Sequence, residues 1–151
     1  MEAEKIDNAP SQRRLTLRKG EKLRHRTLVN GLFAEGASIY DYPLRLVWRK
    51  LTPEELDKAF RIEPPPRLDR LQMLITVPKK KRRHAVDRVL MRRRIRESYR
   101  LSRIPLLEQL EKHPEIGTLS LAFIYLSADN APSDRIRLKM EALLSRLASK
   151  L

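Results

Sequence analysis

Between Lys79 and Arg103 the chain carries twelve Lys or Arg residues and only two acids, Asp87 and Glu97. The segment opens on Lys79-Lys80-Lys81-Arg82-Arg83 and continues through Arg88, Arg92, Arg93, Arg94, Arg96, Arg100 and Arg103. Twelve cations less two acids give +10, out of +14 for the whole chain. A solvated helix usually mixes signs, because opposite charges four residues apart attract. Here Arg88, Arg92, Arg96 and Arg100 recur every four residues, so like charges stack and an isolated helix is destabilised. Phosphates relieve that repulsion, and guanidinium groups grip their oxygens bidentately. The pattern points to a nucleic-acid partner. A membrane-surface helix would set bulky apolar residues opposite the charge. The stripe of Met91, Ile95 and Tyr99 is narrow and suits the domain's own core.

A second basic set is smaller. Arg45 and Arg49 flank Trp48, with Phe33, Tyr40 and Tyr42 close in sequence. Cations beside aromatic rings suit a single strand, whose bases stack while its phosphates are neutralised. Core packing competes with stacking for each ring, and for Phe33 and Phe123 it is the simpler use.

Catalytic constellations are missing. The chain has no cysteine, which removes thiol chemistry and Cys-ligated zinc. His25, His84 and His113 are too far apart in sequence to suggest a His-rich metal site. The four glycines form no phosphate-cradling loop. Glu54 and Glu55 are adjacent and poorly placed to share two metals. Salt bridges within the arginine run account for Asp87 and Glu97. No catalytic or metal-binding residue is assigned, so any chemistry belongs to something the chain binds.

These residues need a frame. A chain of 151 residues and 17.8 kDa suits one domain with one core. Residues 1–14 lack periodicity and read as a flexible arm; residues 15–151 read as a single nucleic-acid-binding domain. Leu23, Thr27, Leu28, Leu32 and Phe33 mark a first helix from about Glu21, closed by Gly36. Ile39 to Leu51 reads as extended, with Leu44, Leu46 and Trp48 alternating against Arg45, Val47 and Arg49. Residues 52–70 contain Pro53 and Pro64-Pro65-Pro66 and form a Pro-rich surface insertion, with room for a short helical turn from Glu54 to Phe60. Leu71 to Val77 is a strand. A helix follows from about His84 to Leu110, with Pro105 a potential break. Leu119 to Leu126 is a strand, and Ser133 is a candidate N-cap for a helix buried through Ile136, Met140, Leu143, Leu144 and Leu147. The fold class is α+β: a two-layer sandwich of about four strands with three helices on one face. No apolar run approaches the ~20 residues of a membrane span. Met1 to Asp7 is polar and acidic, unlike a secretory signal, and the expected location is cytoplasmic.

The charged run also carries a family pattern. Thr76-Val77-Pro78-Lys79-Lys80, then Ala85-Val86, then Arg88 through Glu97 resembles the signature of the bacterial ribonuclease P protein component. That signature is a strand ending S-V-S-K-K, a linker with A-V, and a helix reading R-N-R-x-K-R-x-x-R-E. Arg88, Arg92, Arg93, Arg96 and Glu97 fall on the motif, whereas Val89 and Leu90 stand at its Asn and second Arg. Leu17-Arg18-Lys19, followed by a helix ending near Phe33 and Gly36, is similar to the family's start. The resemblance spans about Leu17 to Leu147.

The resemblance implies a small protein cofactor of a catalytic ribonuclease P RNA. Together they remove the 5′ leader from precursor tRNA, with Mg2+ held mainly by the RNA. It implies a left-handed β–α–β crossover, contrary to the usual handedness. Mapped onto this chain, RNA contacts fall to Lys79, Lys80, Arg82, Arg83, Arg88, Arg92, Arg93, Arg96 and Arg100. Leader contacts fall to Lys19, Phe33, Arg45 and Trp48. The expected partners are the catalytic RNA and precursor tRNA, with no membrane. A ribosomal or other structural RNA-binding module shares the charge pattern without needing the Lys79-to-Glu97 spacing. A protein-only nuclease would need clustered acidic ligands.

Overall fold

The computed structural model describes residues 16–60 and 69–151. The arm over 1–14 and residues 61–68 of the Pro-rich stretch lie outside them. A 3-10 turn over Lys19–Glu21 precedes α1 (Arg26–Glu35). β1 (Ala37–Asp41) and β2 (Leu44–Leu51) follow, then α2 (Pro53–Ala59) and β3 (Leu71–Thr76). α3 (Ala85–Ser102), α4 (Ile104–Glu111), β4 (Thr118–Tyr125) and α5 (Ser133–Ala148) complete the order.

The α+β expectation of a four-stranded sheet holds, with the order β1-β2-β4-β3. β1 pairs with β2 and β2 with β4 antiparallel, while β3 and β4 are parallel. The extended stretch Ile39–Leu51, which the sequence leaves as one or two strands, is part of a two-stranded hairpin turning at Tyr42–Pro43 between Asp41 and Leu44. The long helix is two, parted at Arg103. Pro105 sits in the first turn of α4, where a missing N–H costs nothing. Pro132, not Ser133, is the N-cap residue of α5; the Asp134 carboxylate accepts from the Arg135 N–H within the first turn.

Side chains of paired residues share a face. Leu44, Leu46, Leu121, Phe123, Tyr125, Met73 and Ile39 point to one side and meet Met91, Ile95, Tyr99, Ile136, Met140 and Leu143 in the main core. α1 covers the opposite face through Leu28 and Leu32, which pack with Val47, Leu51 and Ala122. α2 joins them through Leu56 and Ala59, and Phe60 meets His25 edge-on at 5.5 Å. Among the described residues, five α-helices on two faces therefore stand where three on one were expected. The second apolar set is small, and in the sequence it is scattered among polar residues.

α1 lies close against β2. A Cβ on Gly36 would come 2.4 Å from the Leu32 carbonyl oxygen and 2.8 Å from Val47 Cγ1. Gly36→Ala is expected to cost roughly 1–3 kcal/mol by overpacking, measured by urea unfolding.

Candidate RNA interface

α3 forms because its apolar residues recur at helical spacing: Met91, Ile95 and Tyr99 are all buried against the sheet. That anchoring turns the intervening arginines outward. Arg93 and Arg96 are exposed and Arg92 is half-buried at the edge of the ridge. None of the three has a hydrogen bond or ion pair among the described residues. Lys79, Lys80 and Arg83, in the loop between β3 and α3, are likewise exposed and without side-chain partners there. Lys81, in the same loop, is exposed and unpartnered too, so among the described residues seven cations stand free on one strand-to-helix segment. The exposed Val86 and Val89 lie among them on α3.

The other cations of the run serve the chain itself. Arg82 pairs with Asp87 at 3.1 Å and donates to the Ala128 carbonyl. The Asn130 amide, and then the Arg82 and His84 charges, hold the Asp87 carboxyl below its ordinary value. Arg88 donates to the Arg82 and Arg83 carbonyls at 2.9 and 2.7 Å, which folds the basic loop onto the start of α3. Arg94 donates to the Ala131 carbonyl at 2.6 Å. Arg100 bonds Glu97, whose carboxyl is lowered by that contact. Arg103 is buried, its Nε 2.8 Å from Glu21 Oε1. It also donates to the carbonyls of Arg100 and Thr16. Arg82 and Arg100 are therefore partly neutralised members of the set assigned to RNA, and Arg103 is a structural cation.

The four residues assigned to the leader do not share one surface. Trp48 follows the Leu44 and Leu46 side of β2 and packs partly buried against the main core. Arg45 points to the opposite face, so grouping the two on one basic strand face is corrected by the strand's pleat. Arg45 lies 5.5 Å from the Tyr40 ring centre and donates to Ser38 Oγ at 3.0 Å. Phe33, on α1 over that same face, is about half exposed rather than in the core. Lys19 is exposed on the 3-10 turn. Tyr40 was a weaker candidate from sequence; its place opposite Arg45 follows from the hairpin register. Next to this surface, Arg49 reaches Glu35 at 3.4 Å and crosses the space over Gly31.

The arrangement offers two surfaces: a rigid cationic ridge suited to folded RNA, and an aromatic-cationic face beside α1 suited to an extended strand. Among the described residues no three His, Asp or Glu side chains are grouped to hold a metal ion. No described helix is long and apolar enough to cross a membrane.

Comparison with known proteins agrees with this frame. The family model for ribonuclease P matches residues 17–148. The ribonuclease P protein component of Porphyromonas gingivalis strain W83 is 32% identical over 133 residues, covering 87% of this chain and 86% of that protein. That of Chlorobaculum tepidum is 33% identical over 137 residues, covering 88% and 83%. The Staphylococcus aureus ribonuclease P protein structure shares the fold with a TM-score of 0.55 at 16% identity, over 84% of this chain and 94% of that one. With the motif, the element order and nearly the full domain matched together, the chain belongs to the ribonuclease P protein component family.

Proposed function

We propose that the chain acts in tRNA processing as the protein subunit of a ribonucleoprotein whose RNA does the cutting. The ridge of Arg92, Arg93 and Arg96, with Lys79, Lys80 and Arg83, binds the catalytic RNA. The face bearing Arg45, Tyr40 and Phe33 holds the single-stranded 5′ leader of precursor tRNA. The observation that carries this reading is the set of seven cations without side-chain partners among the described residues, carried by the loop before α3 and by the outer side of that helix, whose inner side is locked into the core. Such cations gain by replacing the counterions of RNA phosphates. The mechanism is affinity: the protein brings two polyanions together, screens their repulsion and tethers the leader. The Mg2+ of the reaction is assigned to the RNA. No grouping of described side chains fits such an ion, and no step runs through a metal on this chain.

The test is cleavage of a precursor tRNA by the chain alone, by the catalytic RNA alone at low Mg2+, and by both. Cleavage at the mature 5′ end that is strongest with both is expected. Cleavage by the chain alone contradicts the reading.

A further inference from the structure

β1 is an edge strand of the sheet, and α5 runs beside it. Arg135, Lys139 and Arg146 fall within about 40° of one another around α5, at roughly 100° per residue. Lys150 extends the stripe just past the helix end. The stripe meets the hairpin directly: Arg146 donates to the Tyr40 carbonyl at 3.0 Å, and Lys139 pairs with Asp41 at 3.1 Å. The acid of α5's middle, Glu141, is engaged elsewhere with Arg137. The guanidinium of Arg135 and the ammonium of Lys150 have no partner among the described residues. At the same corner the Tyr40 and Tyr42 rings are 58% and 55% exposed, too open for core residues. Tyr40 also shares the face of Arg45.

We infer that the β1 edge and the adjoining flank of α5 form an extended single-stranded RNA surface, taking leader nucleotides upstream of those held beside Arg45. The inference rests on the leader-binding reading above and lengthens its path. The strand leaves the Arg45–Tyr40 face, turns over the sheet edge with a base stacked on Tyr42, and lays its phosphates along Arg135, Arg146 and Lys150. Cations at helical spacing beside exposed aromatic rings suit single-stranded RNA, because every base has a stacking face and every linkage a phosphate.

The experiment uses the chain reconstituted with its catalytic RNA, and precursor tRNAs with leaders of roughly 4 and roughly 16 nucleotides, a span typical of single-strand footprints. Two variants are compared with the parent: R135Q/R146Q/K150Q, and separately Y42A. The triple variant is expected to bind the long-leader precursor about 10-fold more weakly, with its salt slope reduced by roughly 2, from about 0.7 per lost single-strand phosphate contact. Y42A is expected to weaken long-leader binding about 5-fold or more, the low end for one stacked base. Both are expected to leave the short-leader precursor and catalytic-RNA binding unchanged. Unchanged long-leader affinity, or equal loss for both leaders, overturns the inference while leaving the leader face intact. Weaker binding to the catalytic RNA alone also overturns it, by moving the stripe to that partner. A parent holoenzyme that binds mature tRNA as tightly as the short-leader precursor overturns the leader reading itself, and this inference with it.

Discussion

Replacing Arg92, Arg93 and Arg96 together by Gln is expected to weaken binding of the chain to its catalytic RNA by roughly 10²- to 10³-fold. Each removed arginine forfeits charge-assisted hydrogen bonds worth about 1 kcal/mol or more after desolvation, so three cost roughly 3–4 kcal/mol. The fold is expected to survive, because none of the three guanidinium groups bonds to the described residues and the core side of α3 is carried by Met91, Ile95 and Tyr99. The loss should shrink as salt rises, since each phosphate contact contributes about 0.7 to 0.9 to the slope of log K against log salt. An equivalent triple change of Arg82, Arg94 and Arg103 is expected to destabilise the fold first, because those cations bond within the chain. Binding titrations and thermal melts of the two triples separate the partner-facing cations from the structural ones.

The second large effect concerns stability. Glu21→Gln leaves the Arg103 guanidinium buried against a neutral group, and breaking a buried pair by removing one partner costs about 3–5 kcal/mol. The pair is well shielded, with side-chain exposures of 2% for Arg103 and 6% for Glu21. Glu21 also accepts from the Arg18 backbone N–H at 2.8 Å, so the same carboxylate closes the 3-10 turn. Beside it, burial and then the Glu21 charge push the Tyr99 hydroxyl above its usual range, so the ring stays neutral. Through these contacts the segment before α1 is stapled to the junction of α3 and α4. For a domain of this size the loss corresponds to a fall in Tm of roughly 8–15 °C. Replacing both partners, as E21L/R103M, is expected to cost far less, because no charge is left stranded. Equal melting of the single and double variants would contradict the account of this pair.

Strands and helices with a clean period were readable from the residues. The alternation of Leu44, Leu46 and Trp48 against Arg45, Val47 and Arg49 is the pleat of β2, and the 3.6-residue spacing of Met91, Ile95 and Tyr99 is the inner side of α3. The same alternation put Trp48 on the core side. Joining it to Arg45 because they are near in sequence ignored that a strand sends neighbours to opposite faces. One strand or two could not be decided for Ile39–Leu51 because only Tyr42 and Pro43 separate the paired strands. The α1–α2 layer was hidden because its apolar contacts are few and its members lie far apart along the chain. Arg103 looked like one more cation of the run. Its burial depends on Glu21, 82 residues away, a pairing no local pattern announces. The ridge was readable as a density of charge, but which arginines are free depends on carbonyls and acids that only the fold brings near.

The central claim is that the free cations between β3 and the middle of α3 are neutralised by RNA phosphates. The salt dependence of binding between the intact chain and the catalytic RNA tests it most directly. With about six of these cations engaged, log K is predicted to fall with a slope of roughly −4 to −5 per log unit of salt. A slope near zero would contradict the account.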